Sequence, residues 1–416
     1  MSGSLKLGTE PLRRNRNFQL LWIGQTLSAL GSNASDIAYP LLVLALTRSP
    51  LKAGLVGTFY LVAQMAFRLP AGAIADRVNR RALMLASNLV RLLALGGLGA
   101  AVLLGLASWQ LVLVVAVVQG AAGTFFGPSE RALVRTVVPT EQLAAASARN
   151  EAGTYGAAVA GPPLGGALFA LAQGAPFLAD AASYAISLLT LLGLRGHFRP
   201  KSAKVERQGL HRDIATGIRF VWNTPFLRAL VIQLPLMNFA LNGAMFAMVV
   251  ILRVHGVYPA VIGAAESLIA VGGLLGAVSA PWMQRRLSLA ALILLLCWGG
   301  TALLGVAAWQ AGSVLMAFPI GLAIFLAPAA NASIFAHQAQ ITPDELQGRV
   351  TSALGFATMG LAVVAPAAAG FFIAQISGTA ALLIFALALG VAAFIATVSP
   401  ALRCPVQRSE PEAGPA

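Results

Sequence analysis

The amino-acid sequence predicts an all-α integral membrane protein. The mean hydropathy of the 416 residues is +0.80, and 58% of them are hydrophobic while only 10% are charged. These values lie outside the range of soluble globular proteins. Many apolar runs reach the length of about 20 residues that a membrane-spanning helix needs. The runs do not alternate apolar and polar residues over segments of about ten, which disfavours a lipid-facing β-barrel.

Glycine, proline, serine or charged residues separate the apolar runs, and the runs predict twelve transmembrane helices. The predicted spans are 18–46, 53–75, 82–106, 110–137, 143–170, 176–195, 226–252, 259–281, 287–308, 311–338, 349–374 and 379–400. The first run is too long for a signal peptide, and similar runs follow it, so we interpret it as the first span.

The distribution of basic residues predicts the orientation. With the N-terminus inside, only Arg48, Lys52 and Arg253 fall in predicted outer loops, as the positive-inside rule requires. Both termini are therefore predicted to be cytoplasmic. The same bias explains the net charge of +14 without nucleic acid as a partner, because the aromatic residues lie in hydrophobic runs and not among the basic clusters.

The predicted spans fall into two six-helix bundles joined by a polar segment. The predicted domains are a cytoplasmic tail at 1–17, a bundle at 18–195, a cytoplasmic linker at 196–225, a bundle at 226–400 and a second tail at 401–416. Within the linker, Leu210, Ile214, Ile218 and Val221 form one stripe of an amphipathic helix. Such a helix is expected to lie on the membrane surface, with its basic residues among the headgroups.

The two predicted bundles are related by an internal repeat. Landmarks recur at a spacing of 204 residues, namely Pro139 with Pro343, Pro162 with Pro366, and Gly72 with Gly276. A parallel repeat of six and six spans is a known transporter architecture, with a binding site near the midplane.

The loop after the second span carries a first family motif, in the stretch "GAIADRVNRRALM". It resembles the motif G-x-L-A-D-R-x-G-R-K-x-x-L of the major facilitator superfamily. The matching residues are Gly72, Asp76, Arg77, Arg80 and Arg81. The resemblance implies a major facilitator fold in which these residues form a conformational latch, a cytoplasmic contact that breaks and re-forms during transport. Alternatively, these basic residues serve only as the positive charge that cytoplasmic loops commonly carry, and we favour this interpretation for Arg81. Asn79 replaces the family's glycine, and we expect it to keep a left-handed turn.

The fifth span carries a second motif. Gly161, Pro162, Gly165 and Gly166 resemble the G-P-x-x-G-G core of the antiporter motif in exporting branches of the family. The resemblance implies export, whereas a helix face used only for packing would contain the same small residues.

Four further stretches, "NRNFQLLWIGQTLSALG", "FGPSERALV", "FLADAASYAISL" and "GIRFVWNTPFLRAL", are similar to one branch of the superfamily. This branch contains the enterobactin-type siderophore exporters and macrolide efflux proteins, also called transmembrane secretion effectors. The resemblance implies a multi-pass protein of the bacterial inner membrane. Ala116 stands where many proton-coupled relatives have arginine, so their proton relay does not carry over.

Ionisable residues inside predicted spans are candidates for proton or substrate binding, because each is costly in hydrocarbon. The candidates are Asp36, Glu266, Glu151, Asn33, Arg91 and Arg131. The three acids could carry protons or could sit in fixed ion pairs, Glu151 with Arg131 and Asp36 with an outer-loop base. Asp180 is expected to cap the start of the sixth span.

The sequence therefore predicts a secondary active exporter of a small to mid-sized organic molecule, such as a siderophore, a secreted metabolite or a macrolide-type drug. Proton antiport with alternating access is the expected mechanism, with the proton gradient as energy source and no cofactor or metal. The expected partners are the substrate and membrane lipids, and the chain is expected to be a monomer. An uptake carrier of the same fold is the alternative. A membrane-embedded enzyme is disfavoured, since neither an H-E-x-x-H pattern nor a nucleophile elbow is present.

Overall fold

The computed structural model describes residues 11–75, 78–195 and 210–403, and within these ranges it contains helices and no strands. This agrees with the all-α prediction, because the backbone N–H groups of a helix are bonded within their own segment. The helices of the first half are α1 (Arg16–Thr47), α2 (Pro50–Ala75), α3 (Arg80–Leu103), α4 (Trp109–Val137), α5 (Leu143–Leu171) and α6 (Ala175–Leu192).

The predicted linker contains α7 (Leu210–Asn223). The helices of the second half are α8 (Pro225–Val254), α9 (Pro259–Arg286), α10 (Leu289–Leu294), α11 (Gly300–Trp309), α12 (Ala317–Ile341), α13 (Gln347–Ala362), α14 (Ala365–Gln375), α15 (Gly378–Val398) and α16 (Pro400–Arg403). A π-helical turn over Leu295–Gly299 joins α10 to α11, so the predicted span 287–308 is one helix with a local irregularity.

Ten helical segments within the described ranges are long and apolar enough to cross a membrane. They comprise every predicted span except those of α2 and α5. These two helices have 26 and 29 residues and thus sufficient length, at a rise of about 1.5 Å per residue. The multi-pass prediction is confirmed, while the number twelve and the cytoplasmic termini stay predictions.

The repeat predicted from the sequence is present in the secondary structure. Pro139 and Pro343 each precede a short 3₁₀ turn, and their backbone angles agree within about 3°. The helix that follows begins at Leu143 in one half and at Gln347 in the other, again 204 residues apart. The halves differ afterwards, because α5 continues through its prolines whereas the predicted span 349–374 is divided into α13 and α14 just before Pro366.

The chain groups by contacts into two compact units. The first consists of Met1–Lys204 and Val249–Ala270, and the second of Val205–Met248 and Val271–Ala416. The end of α8 and the first part of α9 thus pack with the first unit. The bundle boundaries predicted at 18–195 and 226–400 follow chain order, and they stay predictions.

Within the first unit, α1 packs on α5 and α6, α2 on α4, and α3 on both α4 and α6. A hydrophobic core joins the start of α1 to the end of α4, with Phe18 and Leu133 fully buried. Asn15 starts α1 by accepting a hydrogen bond from the backbone N–H of Phe18 at 3.1 Å.

Within the second unit, α7 packs against α13. Gly217 is buried, and a Cβ there would lie 2.9 Å from the Cβ of Arg349. Val221 is buried as the predicted stripe requires, but Ile218 is 53% exposed. The helix therefore has a protein-facing side, and its placement on a membrane surface stays a prediction.

Candidate functional site

A polar network inside the first unit is centred on Asp180 in α6, which is 1% exposed. The hydroxyl of Ser35 in α1 donates to one carboxylate oxygen at 2.6 Å, and the hydroxyl of Ser183 donates to the other at 3.1 Å. Gly31 allows this approach, because a Cβ there would lie 2.7 Å from Oδ1 of Asp180. The expectation that Asp180 caps the sixth span is wrong: α6 begins five residues earlier, and the carboxylate binds side chains.

Arg91 in α3 supplies the positive charge of this network. Its Nε donates to Oε1 of Gln119 at 2.9 Å, and the amide of Gln119 donates back to the carbonyl of Arg91 at 3.1 Å. The guanidinium also lies 4.2 Å from the ring centroid of Tyr184, a cation–π contact. The Tyr184 hydroxyl is 2.8 Å from that of Ser32, which Arg91 Nη2 also approaches at 3.5 Å. Four helices, α1, α3, α4 and α6, thus meet in one polar region.

Asp36 in α1 adds a second carboxylate to this region. Its side chain is exposed although its neighbours Ser35 and Ile37 are buried, and it interacts electrostatically with Arg91 and Asp180. A charge in the middle of a span is tolerated when it faces the protein interior or a water-filled cavity. The electrostatic interactions with Arg91 and Asp180 indicate that Asp36 faces this polar region of the first unit. The expected pairing of Asp36 with an outer-loop base is wrong, since the cation found to interact with it among the described residues is Arg91 of α3.

Glu266 in α9 belongs to the same compact unit and interacts electrostatically with Asp36. Its Oε2 atom is buried and has no hydrogen-bond partner among the described residues. The next residue, Ser267, donates a hydrogen bond to the backbone carbonyl of Val159 in α5. Two of the acids nominated from distant parts of the sequence therefore lie in one compact unit and within electrostatic reach of each other.

The remaining candidates form no side-chain hydrogen bond with a described member of this network. Glu151 and Arg131 are both exposed, and the fixed ion pair expected between these two residues is not formed. Arg131 instead lines a groove with Arg80 and Arg135. Asn33 donates to the carbonyl of Ala29 in its own helix at 2.7 Å.

The glycines of the antiporter-type motif pack against two helices. A Cβ at Gly161 or Gly165 would collide with α1, at Asn33 and at the carbonyl of Ala34 respectively. Gly166 lies against the backbone of Pro259 at the start of α9, and Gly263 of α9 lies against the carbonyl of Pro162. These contacts establish a close-packing surface, and the role of the motif in export stays a prediction.

The central residues of the predicted latch, Asp76 and Arg77, lie outside the described residues. A Cβ at Gly72 would meet no atom of the described residues within 4 Å. Arg81 donates from Nη2 to the carbonyl of Leu192 at the end of α6, at 2.7 Å. The latch therefore stays a prediction.

Asn79 does not adopt the expected left-handed turn, since its φ is −59°. Its side chain instead accepts hydrogen bonds from the N–H groups of Arg81 and Ala82 and so caps the start of α3. The asparagine therefore stabilises the start of α3 as an N-cap, and its tolerance of a left-handed backbone is not used.

Sequence reasoning missed Asp180, Gln119 and Tyr184 as members of the network. Arg91 could have indicated that such a network exists, because an arginine inside a span needs an acidic or polar partner on another helix. Among the described residues, no group of three or more His, Cys, Asp or Glu side chains could hold a metal ion.

Comparison with known proteins identifies the family of this chain. Residues 21–361 match the family model described as Major Facilitator Superfamily. The chain is 27% identical over 358 residues to a protein named multidrug efflux pump Tap from Mycolicibacterium fortuitum, covering 81% of this chain and 84% of that protein. A protein of the same name from Mycobacterium tuberculosis is 28% identical over 225 residues, which cover 51% of this chain and 52% of that protein.

Solved structures share the fold. The nucleoside transporter NupG superposes with a TM-score of 0.74 at 12% identity, covering 92% of this chain and 99% of that chain. A bacterial homologue of the iron transporter ferroportin gives a TM-score of 0.69 at 18% identity, covering 93% and 99%. With the family model spanning most of its length, the chain belongs to the Major Facilitator Superfamily, and it is a multi-pass membrane transporter and not an enzyme.

Proposed function

We propose that this transporter is a secondary active exporter that exchanges protons for a small to mid-sized, partly apolar organic molecule. The observation that carries the proposal is that one compact unit holds Asp36, within electrostatic reach of Arg91 and Asp180, and Glu266, within electrostatic reach of Asp36. Similarity to a protein named multidrug efflux pump supports export of drug-like cargo. Siderophores and macrolide-type compounds are the first cargo classes to test.

In the proposed cycle, Asp36 and Glu266 take up protons on the outer side of the bacterial inner membrane and release them into the cytoplasm. A carboxylate suits this role when its environment makes the charged and neutral forms close in free energy. Glu266 has a buried oxygen to which no described residue donates a hydrogen bond, so proton binding there removes an uncompensated charge. Asp180 repels the charged form of Asp36, whereas Arg91 attracts it, so the environment of Asp36 contains opposing charges.

The proposed topology is twelve spans with both termini in the cytoplasm, in a monomer whose site opens to one side of the membrane at a time. The lengths of α2 and α5 support the two additional spans. Alternating access is the general mechanism for a transporter built from such repeats.

Everted membrane vesicles test both direction and coupling. With the lumen made acidic, we expect wild-type vesicles to accumulate ethidium or a labelled macrolide, and a protonophore to abolish the accumulation. Asp36→Asn and Glu266→Gln should each reduce the gradient-driven rate at least tenfold, whereas Glu151→Gln, which changes an exposed acid, serves as the matched control.

Accumulation that survives collapse of the gradient would reject proton antiport. Uptake of the same compounds by right-side-out vesicles, with none by everted ones, would instead identify an uptake carrier of the same fold. A siderophore tested in the same assay distinguishes the two cargo classes.

A further inference from the structure

Two grooves of the molecule occupy equivalent places in the internal repeat. The first, of about 540 Å³, lies between the start of α3 and the end of α4, and the second, of about 740 Å³, lies between the end of α9 and α12. Four lining positions correspond at the repeat spacing of 204 residues: Arg80 with Gln284, Pro128 with Ala332, Ala132 with Ala336, and Thr136 with Gln340. The repeat has therefore built the same groove twice.

The two grooves differ in charge. Arg80, Arg131 and Arg135 line the first groove, and no carboxylate is present among the described residues that line it. Among its described lining residues, the second groove has no arginine, lysine or acid, and its polar side chains include Gln284 and His337. The arginines are thus a property of one groove and not of the shape that both share.

The arginine side chains have unused hydrogen-bonding capacity. Arg131 and Arg135 are exposed, and neither donates to another described residue. The Nε atom of Arg80 is buried without a hydrogen-bond partner in the described part of the chain. Glu130, which neighbours Arg131 in α4, is buried and interacts with it electrostatically, so it offsets part of one charge. Like charges that share a groove repel one another, and an anion would relieve that repulsion.

The dipoles of helices α3 and α4 offset little of the positive charge in this groove. Arg135 lies in the last turn of α4, where the helix dipole stabilises a single cation. The start of α3 at Arg80 presents the positive end of a 24-residue helix to the groove, which adds to its positive potential. A guanidinium group can donate two parallel hydrogen bonds to the oxygens of one phosphate group, which fixes the geometry of the contact.

The groove lies at the ends of the two spans formed by α3 and α4. Lipid headgroups occupy this level of a bilayer, and basic pockets between spans bind anionic headgroups. We propose that the groove of Arg80, Arg131 and Arg135 binds a phosphate group, carried by an anionic phospholipid of the surrounding membrane. The neutral groove of the second unit does not share this affinity.

Native mass spectrometry of the full-length, detergent-purified protein tests the proposal. The delipidated protein is titrated separately with phosphatidylglycerol, phosphatidylcholine and inorganic phosphate. We expect preferential retention of phosphatidylglycerol, with affinity falling about fivefold for each arginine removed. Arg131→Gln with Arg135→Gln should therefore weaken binding about 25-fold, and Arg131→Lys with Arg135→Lys should restore most of it, because charge is kept.

The matched control is Arg285→Gln with Arg286→Gln, which removes the same charge from the last turn of α9 and should leave lipid binding unchanged. Displacement of phosphatidylglycerol by inorganic phosphate would show that the arginines bind a phosphate group, as proposed, but that soluble phosphate and not a lipid supplies it. Equal retention of phosphatidylglycerol and phosphatidylcholine by the wild type would overturn the proposal. An equal loss of phosphatidylglycerol binding in the control variant would show that general surface charge, and not this groove, retains the lipid.

Discussion

At the scale of single residues, membrane burial selects which polar groups can be tolerated. Asp180 is tolerated because Ser35 and Ser183 donate to its carboxylate and Arg91 lies within electrostatic reach. The sequence identified Arg91 as a candidate because an isolated arginine in a span is unusual. It could not identify Asp180, since its role depends on the rotation of α6, which a sequence of apolar residues does not determine.

Removing this carboxylate should destabilise the protein. We expect Asp180→Ala to lower stability by about 1–3 kcal/mol, because it removes the carboxylate acceptor of the Ser35 hydroxyl and one of the two carboxylates within electrostatic reach of Arg91. Asp180→Asn should cost less, since it keeps one acceptor for the hydroxyl of Ser35. Thermal unfolding of the detergent-purified protein, followed by circular dichroism, measures both changes.

Glu151→Ala is the control for this measurement, because it removes an exposed carboxylate and should change stability by less than about 0.5 kcal/mol. Equal melting temperatures for Asp180→Ala and the control would show that the network does not stabilise the first unit.

At the scale of helices, small residues decide how closely the spans approach. Gly161 and Gly165 let α5 contact α1, and Gly120 lets α4 contact the backbone of Tyr60 in α2. The G-P-x-x-G-G pattern predicted such a face, but it did not show which helix would cover it. Proline was less informative: α5 continues through Pro162 whereas its repeat partner breaks before Pro366, because surrounding helices determine whether a lost backbone bond is accommodated.

Two glycines of α5 provide a matched test of this packing. Gly165→Ala should destabilise the protein by about 1–3 kcal/mol, because the new Cβ would collide with the backbone of Ala34. Gly156→Ala should be neutral or stabilise by up to about 1 kcal/mol, since a Cβ at that position meets nothing within 4 Å and alanine is the better helix former. The melting temperatures of the two variants give the comparison, and a lower value for Gly156→Ala than for Gly165→Ala would contradict it.

At the scale of the whole molecule, the sequence predicted the fold class and the repeat well, because both follow from the long apolar runs and from landmarks such as Pro139 and Pro343. It did not predict that Glu266 and Asp36 would fall in one compact unit, since that depends on how α9 packs. The ends of several spans also differed by a few residues from the prediction, as capping groups such as Asn79 set them.

The proposed twelve-span topology can be tested at α5, one of the two helices that composition alone does not identify as a span. Single cysteines introduced by Glu141→Cys and Gln173→Cys, in a background with Cys297→Ser and Cys404→Ser, lie before and after this helix. We expect a membrane-impermeant maleimide to label the first from the cytoplasmic side and the second from the outside. Labelling of both from one side would show that α5 does not cross.

Proton movement during transport is the most direct test of the proposed exchange. With purified protein in liposomes that enclose a pH-sensitive dye, a gradient of ethidium or of a macrolide should drive protons in the opposite direction. We expect this signal in the wild type and in Glu151→Gln, and its loss in the double variant Asp36→Asn with Glu266→Gln. A full signal in the double variant would contradict proton exchange through these two acids.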